Sequence, residues 1–280
     1  TAVDILARNT GGTLAAGFDT DSGAGLIHAR DALAAMGPDL IGVWRPTSRR
    51  FLLDANGNNT WDGTAGGDTL TVSFGLSTDI PVTGDWNRDG NDEVGVWRPS
   101  TRRFLLDANG NGQWDTAAGG DILTGRFGLS DDIPVTGDWN GDGRDDVGVW
   151  RWSTRKFLLD TNGNDTWDGV TAGDTMTAPF GLATDIPVVG DWNGDGTDDI
   201  GVWRPGSGRF LLDKTGNRKW DGAAGGDVLT GSFGVSTDRP LSGDWNGDGR
   251  DGVGIWRPGT REFLLDGNEN GLWDGAAGGD

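Results

Sequence analysis

The sequence predicts an all-β fold, a β-propeller of four-stranded blades, and three observations lead to this prediction. The first is a tandem repeat of 53 residues, which is marked by an aligned Trp at Trp44, Trp97, Trp150, Trp203 and Trp256. The second is the content of 52 Gly and 10 Pro in 280 residues, which indicates many short elements joined by turns. The third is that each repeat has the size of a propeller blade.

Each repeat contains four short apolar or alternating runs, which predict four strands. In one repeat these runs are Ile80–Gly84, Val94–Arg98, Arg103–Leu106 and Ile122–Phe127. Clusters of Gly, Asp and Asn separate them, as expected for turns between strands. Nonapeptide solenoids and helical repeats have other periods and compositions, so a propeller is favoured over a solenoid.

The first and last units of the repeat region do not contain the full set of predicted strands. Three stretches, at about 79–128, 132–181 and 185–234, contain all four predicted strands, whereas the first unit lacks its opening strand and the last stops at Asp280. In the other units the residue aligned with Asp280 is followed by a strand. We therefore infer truncation within the final blade, and this inference leaves open an incomplete propeller.

The first 38 residues do not follow the repeat. We assign residues 1–38 to an N-terminal extension and residues 39–280 to the repeats. The extension is predicted to contain an extended piece and one short helix from about Ala29 to Met36, terminated by Gly37 and Pro38. Since the chain has neither an initiating Met nor a basic and apolar leader, it reads as a piece of a longer protein.

The charge balance favours cationic partners. Lys and Arg total 23 against 43 Asp and Glu, which gives a net charge of −20. Such a charge disfavours nucleic acid and anionic membranes and favours metal ions. The sequence contains no run of about 18 apolar residues, so membrane insertion is not expected. The absence of Cys excludes disulfides and Cys-based zinc sites.

A first loop type, Gly137–Asp146 in one copy, has the pattern of a calcium-binding loop. It places carboxylates at the first, fifth and ninth positions, an Asn amide at the third and a backbone carbonyl at the seventh, with Gly at the bend. Ca²⁺ takes six to eight oxygen ligands, and an EF-hand loop supplies them at this spacing. The predicted ligands are Asp85, Asn87, Asp89, the Asn91 carbonyl and Glu93; Asp138, Asn140, Asp142, the Arg144 carbonyl and Asp146; and Asp191, Asn193, Asp195, the Thr197 carbonyl and Asp199.

The fourth copy of this loop is imperfect. Asp244, Asn246 and Asp248 are present, but Gly252 replaces the carboxylate at the ninth position. We expect a weaker site there unless Asp251 or water takes its place.

A second loop type has similar spacing and fewer charges, so two interpretations stay open. It either binds calcium or forms Asx-rich turns, in which side chains bond to neighbouring backbone groups. Its candidate ligands are Asp54, Asn56, Asn58 and Asp62; Asp107, Asn109, Asn111 and Asp115; Asp160, Asn162, Asn164 and Asp168; and Asp266, Asn268, Asn270 and Asp274. The copy at Asp213 carries Thr215, Arg218 and Lys219, which disfavour a cation.

One repeat contains, in order, Phe127-Gly128, Asp132–Val135, Gly137–Gly143 and Gly148-Val149. This order resembles the FG-GAP motif of integrin-α propellers and their bacterial relatives. The resemblance covers about residues 39–280 and implies calcium loops between the first and second strands of each blade. Integrins have seven blades, so the smaller number of repeats leaves ring closure open.

The N-terminal extension contains two short motifs, Thr1–Asp4 and Gly23–Ala29. They resemble the closing segments of a subtilisin-like serine protease domain, although His28 stands where that family has Asp or Asn. The resemblance implies a secreted, extracellular parent enzyme whose catalytic segments lie upstream. His28 is the only His of this chain, so a Ser-His-Asp triad is not expected here.

Fourteen of the 15 Trp fall at three fixed positions of the repeat, and Trp152 is the exception. Exposed indoles stack on sugars, but a repeated placement favours packing between blades.

Taken together, the sequence predicts a non-catalytic, calcium-binding module attached to a catalytic domain, with an unspecified protein or glycan ligand. A stand-alone adhesion or lectin-like module is the alternative. An active serine endopeptidase fragment ranks last.

Overall fold

The computed structural model of the chain describes residues 26–29, 38–275 and 277–280. Nineteen strands in these residues form five antiparallel sheets, the blades of a β-propeller. Each repeat places its first strand at the centre of the ring and its later strands progressively outwards.

The strands follow the repeat closely. Blade 1 contains β1 (Leu26–Ala29), β2 (Leu40–Arg45), β3 (Arg50–Leu53) and β4 (Thr69–Leu70). Blade 2 contains β5 (Ile80–Gly84), β6 (Glu93–Arg98), β7 (Arg103–Leu106) and β8 (Ile122–Leu123). Blade 3 contains β9 (Ile133–Gly137), β10 (Asp146–Arg151), β11 (Lys156–Leu159) and β12 (Thr175–Met176). Blade 4 contains β13 (Ile186–Gly190), β14 (Asp199–Arg204), β15 (Arg209–Leu212) and β16 (Val228–Leu229). Blade 5 contains β17 (Arg239–Gly243), β18 (Gly252–Arg257) and β19 (Glu262–Leu265).

The alternative of an incomplete propeller is wrong, because the five blades close into a ring. Each central strand contacts the next around the axis, and β17 of blade 5 contacts β1 of blade 1. The Asp39 amide donates to the Asp244 carbonyl at 2.8 Å, and the Asp244 amide donates to the Asp39 carboxylate at 2.8 Å. The same two hydrogen bonds recur between neighbouring blades elsewhere, so the closing interface uses the same contacts.

The opening strand of the first unit, which the sequence analysis did not find, is Leu26–Ala29. It pairs antiparallel with β2 from Leu26 opposite Val43 to Ala29 opposite Leu40. This strand lies before the predicted boundary at residue 39. Ala29 is its last residue, and the rest of the predicted helix, up to Met36, lies outside the described residues. The described helices are two 3-10 turns, Val170–Ala172 and Ala223–Gly225.

The hydrophobic core lies between blades. One cluster joins Trp97 and Phe104 of blade 2 to Val147 and Val149 of blade 3. Trp97 and Phe104 are opposite each other in the β6–β7 pair, with ring centroids 6.3 Å apart. Because alternate residues of a strand face the same side, one sequence pattern repeats this interface around the ring.

The prediction of buried Trp is confirmed for two of the three repeat positions. The position of Trp97 is fully buried in four copies and 7 % exposed at Trp256. At the second position Trp86, Trp139 and Trp192 are buried, whereas Trp245 is half-buried. The third position lies nearer the surface, since Trp61 is 41 % exposed. Trp114 of this set packs edge-on against Phe74 of the preceding blade.

The Arg that follows the first Trp pairs with an Asp at the start of the same blade. Arg98 donates bidentate hydrogen bonds to the Asp79 carboxylate, the shortest at 2.7 Å. Arg151, Arg204 and Arg257 repeat this with Asp132, Asp185 and Asp238. These pairs lie at the end of the blade opposite the predicted calcium loops, so they do not neutralise the loop carboxylates.

Candidate metal centre

The two loop types of a blade lie at the same end of it. The first loop joins the first and second strands, and the second loop joins the third and fourth. In blade 2 the Asn87 amide donates to the Ala108 carbonyl at 3.2 Å, which places the two loops side by side. The fold therefore combines two separate sequence motifs in one acidic surface.

The first position of the first loop type organises the loop backbone. The Asp138 carboxylate accepts the amide hydrogens of Gly141 at 2.7 Å, Asp142 at 3.1 Å and Gly143 at 2.8 Å. The equivalent carboxylates Asp85, Asp191 and Asp244 do the same in their loops. Gly143 has φ of 82°, a conformation that residues with a Cβ rarely adopt. The turn thus requires the Gly that the motif places there.

The structure brings the third and ninth positions together. The Asn140 side-chain amide donates to the Asp146 carboxylate at 3.0 Å, and Asn193 donates to Asp199 at the same distance. Asn87 donates to Glu93 at 3.0 Å. For a cation to bind between these two side chains, the Asn side chain would have to present its oxygen, and not its nitrogen, to the cation.

The fifth and seventh positions lie further out. The carboxylates of Asp89, Asp142 and Asp195 are exposed and accept the amide hydrogens of the seventh-position residues Asn91, Arg144 and Thr197 at 2.9 to 3.0 Å. In the described part of the chain, no three acidic or His side chains converge on one point.

The ninth-position carboxylates have strongly raised pKa values. The pKa of Glu93 is about 8, because burial disfavours its charge and the nearby Asp89, Asp85 and Asp107 repel it. The pKa of Asp199 is also about 8, from burial and then from Asp213 and other carboxylates. The positive charge of a bound cation would oppose both shifts, because it stabilises the ionised carboxylate.

The three complete loops differ in their nearby guanidinium groups. In blade 3, Arg144 forms an ion pair with Asp146 at 2.9 Å, although burial still raises the pKa of Asp146 to about 8. In blade 4, the Arg218 guanidinium interacts with Asp199 and donates to the Trp139 carbonyl at 2.8 Å. Among the described residues, Glu93 has no such partner. The blade 2 loop is therefore the best candidate for a cation.

In blade 5 a residue from the second loop takes the place of the absent ninth-position carboxylate. The Asn246 amide donates to Glu269 at 2.8 Å, as Asn140 donates to Asp146. The pKa of Glu269 is raised by burial and by Asp248. Asp251, the substitute considered from the sequence, instead accepts the Asp191 amide of blade 4 at 2.8 Å. The fourth site thus has a carboxylate that its own loop does not contain.

The second loop type is closed by its own hydrogen bonds. Its leading Asp accepts the amide five residues on in every copy, at Asp54, Asp107, Asp160, Asp213 and Asp266. Asn109 donates to the Gly119 carbonyl and to Asp121. In the copy at Asp213, the Thr215 hydroxyl donates to that carboxylate at 3.1 Å. The first loop shares the closing hydrogen bond to the amide five residues on, so both interpretations of the second loop stay open.

The remaining predicted second-loop ligands join the same networks. Asn111 donates to Asp115, and Asn58, Asn164 and Asn270 donate to Asp62, Asp168 and Asp274. Asn56, Asn162 and Asn268 donate to these last three carboxylates as well. Burial raises the pKa values of Asp107, Asp160 and Asp266 to about 6, less than for the first loop.

Two recurring Asp positions were missed in the sequence analysis. Asp145 and Asp198 accept the amide of the preceding blade's first loop residue, at 3.0 Å for Asp85 and 2.8 Å for Asp138. Asp121 accepts the Asp115 amide and closes the second loop. Both positions recur at the repeat spacing, which was the signal that could have revealed them.

The resemblance to known families rests on the motif alone. A scan against models of protein families and a search of curated proteins found no match to this chain. Within the residues that the structure describes, no helix has the length and apolar character needed to cross a membrane. The relation to FG-GAP repeats and to a subtilisin-like parent therefore stays a prediction.

Proposed function

We propose that this chain is a non-catalytic propeller module whose first loops bind Ca²⁺, and that the cation stabilises the ring. The observation that carries the proposal is the buried carboxylate at the base of the first loop, repeated around the ring with a pKa of about 8 in blades 2, 3 and 4. Such a group destabilises the fold when it is ionised without compensation. A divalent cation supplies that compensation.

In blade 2 the residues that would hold the cation are Asp85, Asn87, Asp89 and Glu93, with the Asn91 carbonyl. All are oxygen donors, which suits a hard cation with six to eight ligands. In blade 5, Asp244, Asn246 and Asp248 would be joined by Glu269. Arg144 and Arg218 would compete with the cation in blades 3 and 4, so we expect tighter binding in blade 2.

An extracellular location suits such loops. Their Asn side-chain amides donate to the ninth-position carboxylates, so binding would have to turn these side chains, and binding that must reorganise a loop is weaker than binding to a rigid site. Extracellular calcium modules work with dissociation constants of about 10⁻⁴ to 10⁻³ M. We therefore propose a module that is loaded outside the cell and presents a protein or glycan ligand to an attached domain or surface.

Thermal unfolding, followed by Trp fluorescence, tests the calcium proposal. The full chain is compared in excess Ca²⁺, in excess Mg²⁺ and in chelator. A ligand that binds only the folded state stabilises it by about 2.7 kcal/mol per site at a hundredfold excess over its dissociation constant. We expect a large upward shift of the midpoint in Ca²⁺ and a smaller one in Mg²⁺. Identical curves in Ca²⁺ and chelator would contradict the proposal.

A further inference from the structure

A cavity of about 350 Å³ lies between blade 4 and blade 5. Blade 4 contributes apolar side chains to its lining, and the second loop of blade 5 contributes two carboxylates. The lining residues that matter here are Trp192, Leu212 and Val228 of blade 4 and Asp266, Glu269 and Gly271 of blade 5. The cavity therefore combines an apolar wall with an acidic one.

At the neighbouring interface, between blades 3 and 4, a guanidinium group lies in the corresponding place. Arg218 reaches from the second loop of blade 4 to blade 3, where it donates to the Trp139 carbonyl at 2.8 Å and to the Thr175 hydroxyl at 2.9 Å. Within its own blade, its charge is attracted by Asp199 and Asp213. One Arg side chain thus joins the two blades.

The interface between blades 2 and 3 also contains a guanidinium, although a different loop supplies it. Arg144, from the first loop of blade 3, donates to the Trp86 carbonyl at 3.1 Å. It also pairs with Asp146 at 2.9 Å and with Asp165 at 2.7 Å. Two loop positions unrelated in sequence therefore bring the same group to the same carbonyl position. The planar fork of a guanidinium suits such a set of oxygen acceptors.

Blade 5 retains most of the acceptors of Arg218 but has Gly271 at its repeat position. The Thr175 hydroxyl is the acceptor that is lost, because Val228 replaces it. The other three acceptors have counterparts that line the cavity: Trp192 for Trp139, Asp266 for Asp213, and Glu269, which accepts the Asn246 amide as Asp199 accepts that of Asn193.

The backbone at this position is the same with and without the side chain. Gly271 has φ of 72°, and Arg218 has φ of 62°. The exchange of Arg for Gly therefore removes a guanidinium without changing the turn. It leaves space at an interface whose oxygen acceptors are kept.

Two exposed cations lie near this space. Lys214 is among the lining residues, and Arg250 attracts Glu269. Exposed side chains of this kind stay solvated and contribute little to an ion pair. Asp266, in contrast, is buried, as is Asp213 beside Arg218. Neither exposed cation thus reproduces a guanidinium that is held between two blades.

We propose that the cavity between blades 4 and 5 binds the guanidinium group of an Arg side chain from a protein partner. The head group meets the Trp192 carbonyl and the carboxylates of Asp266 and Glu269, and the aliphatic stem packs against Leu212 and Val228. This inference goes beyond the calcium proposal and does not rest on it. It makes the partner a protein with an exposed Arg, and not a glycan.

Calorimetric titration of the full chain with N-acetyl-argininamide tests the proposal. The titration is done in chelator, because Glu269 is also a candidate ligand of the blade 5 cation. We expect one binding site per chain. N-acetyl-lysinamide should bind at least about tenfold more weakly, since an ammonium group lacks the planar fork. Equal affinities for the two probes would overturn the assignment to a guanidinium.

A Gly271→Arg variant supplies the guanidinium from the chain itself, so it should lower the affinity for the probe by about tenfold or more. The matched control is Gly112→Arg, which makes the same change of residue and charge at the equivalent position of blade 2, where φ is 73°. This control should bind the probe as the parent does. Equal binding by the two variants would overturn the proposed location.

An Arg218→Ala variant gives a second readout that leaves the cavity between blades 4 and 5 unchanged. Removal of this guanidinium should open a like cavity between blades 3 and 4, so the number of bound probe molecules should rise from one to two. A number that stays at one would contradict the inference that these interfaces select a guanidinium.

Discussion

At the residue scale, the contribution of Glu93 to the stability of the fold depends on the proposed cation. Its carboxylate is buried beside Asp85 and Asp89, and the pKa of about 8 measures how strongly this environment resists the charge. Without a cation the folded state favours the protonated acid. If the loop binds Ca²⁺ as proposed, the cation reverses this preference. The ionic conditions would then decide the sign of the Glu93 contribution to stability.

The raised pKa of Glu93 predicts that the free energy of unfolding depends on pH when chelator removes calcium. The pKa of Glu93 is raised from 4.5 to about 8 in the folded protein, so the folded state holds more protons than the unfolded chain between these values. The free energy of unfolding should therefore fall as the pH rises from about 5 to about 8. Saturating Ca²⁺ should reduce or reverse this fall. Thermal midpoints measured across this range check it, and a midpoint that rises in chelator would contradict it.

The substitution Glu93→Gln separates the two roles of this side chain. In chelator near neutral pH the variant should be more stable than the parent, because a neutral amide avoids the cost of protonating Glu93 on folding. In Ca²⁺ it should lose up to about 2.7 kcal/mol of the calcium-dependent stabilisation at a hundredfold excess over the dissociation constant. Urea unfolding measures both. The control is Glu262→Gln, an exposed Glu on β19, which should behave as the parent does in both buffers.

The hydrogen-bonded arrangement of the first loop was predictable at the residue scale, and the exceptions were not. Spacing within one loop identifies Asp138, Asn140 and Asp146 as neighbours, because they lie on the same short turn. Glu269 takes the ninth position in blade 5 although it belongs to the other loop. Only the packing of the two loops in three dimensions brings it to Asn246.

At the scale of elements, blades 2 to 5 are each stabilised by an Arg–Asp pair at the end opposite the first loops. In blade 3 the Asp132 carboxylate accepts hydrogen bonds from two nitrogens of Arg151. It also accepts a hydrogen bond from the Leu129 backbone amide at 2.8 Å. It is 1 % exposed, while the Arg151 side chain is 20 % exposed. The pair therefore joins the start of the first strand to the end of the second.

Asp132→Ala should consequently lower stability by about 2 kcal/mol, less than the 3–5 kcal/mol expected for a fully buried pair, because Arg151 is partly solvated. Urea unfolding gives the value. Asp131→Ala is the matched control, since this neighbouring carboxylate is exposed, and its effect should stay within about 0.5 kcal/mol. Equal effects of the two substitutions would show that the Arg–Asp pair does not stabilise the blade.

The strands themselves were largely predictable from the sequence. Ile80–Gly84 and Arg103–Leu106 have the predicted bounds, because apolar alternation and turn residues mark them clearly. The fourth strand is shorter than predicted, as β8 ends at Leu123, since only two residues pair there before the chain turns towards the next blade. The first strand was missed because Leu26–Ala29 does not share the sequence of its counterparts.

At the scale of the whole molecule, the interface between blades 5 and 1 determines whether the ring is closed. Asp39 and Asp244 exchange two hydrogen bonds there. Asp39→Ala should lower the free energy of unfolding by about 1–2 kcal/mol, because the buried Asp244 amide loses its acceptor. Asp39→Asn keeps an acceptor oxygen and should lose less. The outcome that would contradict this assignment is an equal loss for both variants in urea unfolding.

Between neighbouring blades, an Asp carboxylate of one blade accepts a hydrogen bond from a backbone amide of the preceding blade. That amide belongs to the first predicted ligand residue of the preceding blade's first loop. Asp198 binds the backbone of Asp138, and Asp251 binds that of Asp191, so each loop is fixed by the blade that follows it. Ordering one loop therefore reduces the entropy that its neighbour must lose when it is ordered in turn. Calcium should accordingly fill the ring with positive cooperativity, and a titration curve would be steeper than that of independent sites.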